Sequence, residues 1–178
     1  MGAQTFADVI TGPVTTDFAT ITAITETVLI PTAWTPIGAG EPRSGQVWEL
    51  IVIGTCTTGL AGTLIITPRY GTTIGGTAIG TSGAQNYVAS ISNAPFIFRC
   101  WIGFRGVGQA GANTPVICGY NWSSLGAVGT ASSETAVTGG GGAATSVDVS
   151  VASALWIGVT FSVAPSVIPR FHTWRRFN

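Results

Sequence analysis

The feature that most constrains this chain is its shortage of charge. Only 8% of its 178 residues are charged, lysine is absent, and the mean hydropathy is positive. A membrane-spanning helix needs about 20 consecutive apolar residues, but Thr, Gly and Pro interrupt every apolar run of this chain. A soluble monomer usually carries charge on about a quarter of its surface residues. We therefore expect other protein chains to cover much of this surface, as in a subunit of an assembly.

The composition is that of an all-β protein with a single domain. The chain has 25 glycines, abundant Thr and few strong helix formers, which is typical of sheets. A chain of this length buries a core without disulfide or metal staples. About eight short apolar runs separated by Gly- and Pro-containing turns predict the antiparallel strands of a β-sandwich or a barrel. The clearest runs are 47–53, 63–70, 96–104, 115–122, 155–163 and 168–177.

Residues 1–45 differ from the rest of the chain. Thr alternates with aliphatic residues over 18–25 and 27–30, and prolines interrupt the segment repeatedly. Alternation with a period of two predicts half-buried strands, whereas proline is confined to the edges and turns of sheets. We predict an extended N-terminal arm with the first strand or strands in residues 1–45, and a sandwich body in residues 46–178.

Patterns that would indicate an enzyme, a metal site or a cofactor site are weak. Gly106–Gly111 matches G-x-G-x-x-G, but the sequence that follows does not predict the helix that dinucleotide binding requires. His172 is the only histidine, and no carboxylate lies near it in sequence to build a Ser-His-Asp arrangement. A sandwich could bring distant carboxylates together, but seven carboxylates offer little choice for the close pair that glycoside hydrolysis requires. We expect no catalytic residue, no metal and no cofactor.

The remaining charged and thiol groups favour structural roles. The net charge is zero, so neither nucleic acid nor a membrane is an expected partner. Glu49 lies within an apolar run, and we expect it to face outward or to pair with an arginine such as Arg69 or Arg99. The three cysteines also lie within apolar runs, where buried free thiols are the expected state and a single disulfide is the alternative. They are Cys56, Cys100 and Cys118.

The C-terminal residues combine arginine with aromatic side chains, which are enriched at interface hot spots. We predict that they form a final edge strand, with Phe171 pointing into the core and with Trp174 and Arg175 or Arg176 against a neighbouring subunit. Apolar side chains of the N-terminal arm are predicted to make such contacts as well. The predicted interface residues are Phe6, Phe18, Ile21, Ile24, Arg170, Trp174, Arg175, Arg176 and Phe177.

The stretch from Gly45 to Gly71 resembles small virion proteins of tailed bacteriophages, and so do the late strand at 155–160 and the ending at Asn178. It is similar in particular to the head decoration or minor capsid proteins of phages with high-GC hosts. The resemblance implies a jelly-roll-like sandwich that binds the outside of an icosahedral shell. It also implies oligomers, often trimers, that clamp adjacent subunits of the major capsid protein. No catalytic residues come with it.

Together these observations predict a non-enzymatic capsid decoration protein, made in the host cytoplasm and located on the virion surface. Its expected partners are the major capsid protein and other copies of itself. The arm, Gly2 to Thr27, is expected to add a strand to a neighbour's sheet edge. Its deletion is then expected to abolish attachment and to leave the sandwich folded.

Two alternatives remain open. One is a subunit of the phage tail or fibre base. The other is a carbohydrate-binding module for host attachment, in which exposed aromatic rings stack on sugars. The candidate rings are Trp34, Tyr120 and Trp122, for which packing in the core or in an interface is the competing interpretation.

Overall fold

The computed structural model describes residues 7–105, 114–124, 139–140 and 145–177. Their regular structure is β-strand, apart from a short 3-10 turn at Thr32–Trp34. The strands form two antiparallel sheets that pack face to face around one apolar core. The predicted all-β sandwich is thereby confirmed, while the jelly-roll winding stays a prediction. In the described residues no helix has the length and apolar character to cross a membrane.

The strands are numbered in chain order. They are β1 (Ala7–Val14), β2 (Thr27–Val28), β3 (Pro36–Ile37), β4 (Val47–Thr58), β5 (Gly62–Tyr70), β6 (Thr77–Ala78), β7 (Gln85–Tyr87), β8 (Ile91–Phe104), β9 (Thr114–Ser124), β10 (Gly139–Gly140), β11 (Thr145–Val147), β12 (Ser153–Phe161) and β13 (Ser166–Phe177).

The larger sheet has the order β1-β13-β4-β8-β9-β10, and β11 also pairs with β9. The smaller sheet has the order β2-β12-β5-β6, with β3 on β12 and β7 on β5. Strands β4 and β5 follow each other in sequence but lie in different sheets, and so do β12 and β13. Since β13 pairs with β4 and β12 pairs with β5, these four strands join the two sheets at the centre of the sandwich.

Alternation along the strands builds the core. In β8 the side chains of Phe96, Phe98 and Cys100 are buried, while Ile97 and Arg99 between them are exposed, because successive residues of a strand point to opposite faces. Pairs of aromatic rings fill the space between the sheets. The closest pairs are Phe96 with Trp122, 4.3 Å between ring centroids, and Trp48 with Trp174, 5.2 Å.

The N-terminal residues pack on the body of their own chain. Strand β1 pairs with β13 along its length, the Phe18 N–H donates to the Pro169 carbonyl, and Ile21 exchanges backbone hydrogen bonds with Val167. The first strands predicted within residues 1–45 are present, whereas an arm that reaches a neighbouring subunit stays a prediction. In this structure residues 7–30 pack on their own chain, where the edge of β13 accepts β1. Ile21 belongs to the core, so deletion through Thr27 removes part of the sandwich, and we no longer expect the remainder to stay folded.

The last strand also differs from its prediction. Strand β13 is not an edge strand, since it lies between β1 and β4. A register shift between Pro169 and Phe171 changes which side chains point inward, as a bulge does. Phe171 consequently lies opposite Ile53 on the outer side of the sheet, and the prediction that it points into the core is wrong. His172 and Trp174 are the residues that point inward, and both are fully buried.

Candidate interaction surface

The two sheets differ in what covers their outer faces. On the smaller sheet, the outward side chain of Trp156 is only 6% exposed, because the segment before β2 lies over it. Arg69 holds Glu26 of this segment with two hydrogen bonds, of 3.0 Å and 3.1 Å. A Cβ at Gly158 would collide with the Glu26 carboxylate and the Trp156 ring, so a glycine lets the segment approach. The chain itself thus covers this face around Trp156 and Gly158.

The outer face of the larger sheet is apolar and exposed. Outward side chains of β1, β4, β8 and β9 retain exposures between 37% and 57%. The register places four of them in two groups on the same sheet: Ile53 lies opposite Ile97, and farther along these strands Gly103 lies between Val47 and Ile117. Exposed apolar surface gathered on one face marks a site of association in soluble proteins. We call this surface the apolar face and define it by the exposed residues Val9, Val47, Ile53, Ile97 and Ile117.

An open groove runs across the apolar face where β4, β8 and β9 lie side by side. Its volume is about 490 Å³, which is enough for one or more large side chains of a partner. The lining is mostly apolar. It consists of Ile53, Pro95, Ile97, Arg99, Trp101, Asn121 and Ser123.

A buried carboxylate lies beside this groove. Glu49 faces outward, as one of its predicted alternatives has it, yet it is only 6% exposed. The Trp101 Nε1–H donates to its Oε1 at 3.0 Å, and the Arg175 guanidinium donates to its Oε2 at 2.6 Å from Nε. The prediction of Arg69 or Arg99 as its partner is wrong, because the register places Arg175 directly opposite Glu49. This carboxylate therefore has its partners within the chain.

Most of the predicted interface residues of the C-terminal strand make contacts within their own chain. Trp174 is fully buried and donates its Nε1–H to the Pro36 carbonyl at 2.9 Å, so its prediction as an interface residue is wrong. The arginines form ion pairs with acids of β1, of β4 and of the segments that follow β1 and β3. The pairs are Arg170 with Asp17, Arg175 with Glu49, and Arg176 with both Asp8 and Glu41.

The predicted interface residues of the N-terminal region have different positions. Ile21 is a core residue, which contradicts its prediction, whereas Ile24 is 55% exposed. Phe18 is half-buried against His172, with 5.5 Å between ring centroids. Phe177 is half-buried under the Arg175 guanidinium. Phe6 lies outside the described residues, as does the Gly106–Gly111 motif.

The residues of the apolar face were missed by sequence reasoning. The sequence feature that could have identified them is that β4 and β8 carry apolar side chains at both inward and outward positions. Such strands are normally buried on both faces. In β12 the chain itself covers the second face, but no described residue covers the second face of β8 around Ile97, which remains 41% exposed.

The aromatic rings considered for sugar binding are mostly buried. Tyr120 and Trp122 are 3% and 4% exposed, and the Trp122 ring stacks on Phe96 within the core. Core packing is therefore the correct interpretation for both. Trp34 is 37% exposed and rests against Phe18 and His172.

His172 is enclosed between the N-terminal segment and the core. Its Nε2 lies 3.3 Å from the Thr11 Oγ1, and the Thr11 hydroxyl donates to the Trp34 carbonyl, so Nε2 is the protonated nitrogen and donates to Thr11. The buried Nδ1 has no hydrogen-bond partner among the described residues. Burial lowers the pKa of His172 below its usual value, because the charged form would lose hydration.

The thiols and the remaining acids do not form a reactive or metal-binding cluster in the part of the chain that is described. All three cysteines are free and buried, and Cys100 and Cys118 have their sulfur atoms 3.6 Å apart. Burial raises the pKa of Cys56 to about 11, so its thiol is protonated and unreactive at neutral pH. No group of three or more potential metal ligands occurs in the described ranges.

Comparison with known proteins gives no match: no family model fits the chain, and no curated protein or solved structure is significantly similar to it. The functional argument therefore starts from the apolar face and its chemistry.

Proposed function

We propose that this protein is a non-enzymatic structural subunit of a bacteriophage particle, which decorates the outside of the capsid and stabilises it. The observation that carries the proposal is the apolar face, an exposed apolar sheet surface on a chain with very little charge. The resemblance of residues 45–71 to virion proteins supports it as well, and these residues include β4 and β5, one central strand of each sheet.

The proposed mechanism is thermodynamic. Apolar surface removed from water contributes about 25 cal/mol per Å² to association, so the apolar face favours a complex in which it is covered. A copy that binds only the assembled shell stabilises that shell by mass action. Oligomerisation, with a trimer as the expected state, would multiply the contacts of each unit with the shell.

Locating the protein on the particle tests the assignment. An antibody against the chain is applied to purified particles from cells that express it, and electron microscopy records the position of the label. Label distributed over the head supports the proposal. Label confined to the tail favours the alternative of a tail or fibre-base subunit, and particles without label overturn the assignment to a virion.

A pair of variants tests the apolar face itself. The double variant Ile53→Asp with Ile97→Asp places two charges on exposed positions of the face. The control Leu60→Asp places a charge in the turn between β4 and β5, where Leu60 is 65% exposed. We expect the double variant to lose binding to particles assembled without this protein, and the control to bind normally.

Thermal unfolding and far-UV circular dichroism establish that both variants are folded. Binding of the folded double variant at wild-type affinity would contradict the role of the apolar face. The glycan-binding alternative has lost support, because two of its three aromatic candidates, Tyr120 and Trp122, are core residues.

A further inference from the structure

The ion pairs of the described residues leave a surplus of positive charge. Five carboxylates pair with four arginines within the chain. Three further arginines have no carboxylate partner in the described residues, and all three are exposed. They are Arg43, Arg99 and Arg105.

One of these arginines lies within the apolar face. Arg99 is on β8, between the outward side chains of Ile97 and Trp101, and it lines the groove. Its neighbours across the sheet are Ile51 on β4 and Asn121 on β9. Arg99 is thus the cation among the groove-lining residues, and the side chains directly opposite it on both neighbouring strands are uncharged.

Covering the apolar face changes the environment of Arg99. A charge that is removed from water without a partner of opposite sign is strongly unfavourable. Arginine is suited to such a position when a carboxylate is supplied, because its planar guanidinium forms two parallel hydrogen bonds with the carboxylate oxygens. A surface that covers this face therefore favours binding only if it offers an acid near Arg99.

A second copy of the same face does not offer such an acid. Among the described outward residues of the central strands β4, β8, β9 and β13, the carboxylate is Glu49, which already accepts from Trp101 and Arg175. Two copies packed face to face by a twofold axis would bring two unpaired Arg99 side chains into one apolar interface. Charge complementarity hence favours a different surface as the partner.

We infer that the apolar face docks on a partner surface that presents a carboxylate among apolar side chains, and that Arg99 binds this carboxylate. The inference rests on the proposed function, in which that partner surface belongs to the capsid. Apolar contacts supply the driving force, and the Arg99 ion pair fixes the register between the two surfaces.

The test measures binding of the purified chain to particles assembled without it. Arg99→Gln removes the charge, and Arg99→Glu reverses it. The control Arg43→Glu makes the same charge reversal in the turn before β4, away from the groove. We expect the affinity to fall about tenfold or more with Arg99→Gln and about a hundredfold or more with Arg99→Glu. The control should stay within about twofold of wild type.

A chemical modification of the partner provides a second arm. Amidation of the surface carboxylates of the particles by carbodiimide and ethanolamine neutralises them. The inference expects amidation to weaken wild-type binding and to leave the binding of Arg99→Gln nearly unchanged, because that variant no longer uses the carboxylate.

Three results would overturn the inference, and they differ in what else they affect. If both Arg99 variants bind with the affinity of the wild type while the double variant Ile53→Asp with Ile97→Asp does not bind, the role of Arg99 is refuted and the proposed function is left intact. Equal losses in Arg99→Glu and Arg43→Glu refute a specific contact at Arg99. Absence of wild-type binding to the particles refutes the proposed function and this inference with it.

Discussion

His172 makes a quantitative prediction about stability and pH. It is the only histidine of the chain, its side chain is fully buried, and the rings of Phe18 and Trp34 lie 5.5 Å and 5.3 Å from its own. Protonation adds an N–H at Nδ1, for which the described residues provide no acceptor. The neutral form is therefore the one that the folded protein stabilises.

The direction of the effect follows from the lowered pKa of His172 in the folded state. Its unfolded value is about 6.5, so the unfolded chain takes up the proton first when the pH falls. The stability is complete above about pH 6.5 and decreases toward the pKa of the folded state. One proton limits the slope to about 1.4 kcal/mol per pH unit, which gives a loss of up to about 2 kcal/mol at pH 5.

Urea unfolding at several pH values between about 7.5 and about 5, the range in which histidine titrates, measures this slope. Carboxylates in unfolded chains titrate at about 4, below this window, so the slope reports on His172. The variant His172→Phe keeps an aromatic ring and removes the titration, so its stability should be nearly independent of pH. An unchanged stability of the wild type between pH 7 and pH 5, or an equal slope in His172→Phe, would refute the reasoning.

Two further predictions concern the contacts around the outer faces. Glu49→Ala leaves the Trp101 N–H and the Arg175 guanidinium without their acceptor, and should lower the free energy of unfolding by about 2 kcal/mol. Its control, Asp17→Ala, breaks an exposed ion pair and should lower the free energy of unfolding by less than about 1 kcal/mol. Urea unfolding midpoints measure both changes. Gly158→Ala should displace the Glu26 segment and make it sensitive to limited proteolysis, whereas Gly59→Ala, which has open space around it, should not. Equal effects in either pair would contradict the contacts described.

The sandwich was predictable because its strands carry a local signal. Strand β8 alternates core residues with outward ones from Ala94 to Phe104, and the late run around Trp156 is apolar enough to identify β12. Which side chains of β13 point inward was not predictable in this way. A single extra residue near Arg170 reverses the alternation, and the sequence gives no sign of whether Phe171 or His172 points inward.

The contacts of the N-terminal region and of the charged residues could not be predicted from the sequence, for a different reason. Glu26 and Arg69 are 43 positions apart, and Glu49 and Arg175 are 126 apart. Such pairs depend on the register of strands that are distant in sequence. The apolar face was missed because a strand with apolar residues on both sides has the same sequence whether its outer side is covered, as at Trp156, or open, as at Ile97.

The central position of β13 has a consequence for how the protein is made. Residues 166–177 must emerge from the ribosome before β1 has a partner strand and before β4 has its second one, since β13 lies between them. Strands β4, β8 and β9 can pair with one another before then. Strand β1 and one side of β4 stay unpaired until β13 is made, and pairings over such sequence distances form slowly. Synthesis at about 5–20 residues per second leaves several seconds in which a holdase chaperone can act, so yield in the cell should depend on chaperone supply more than on the final stability.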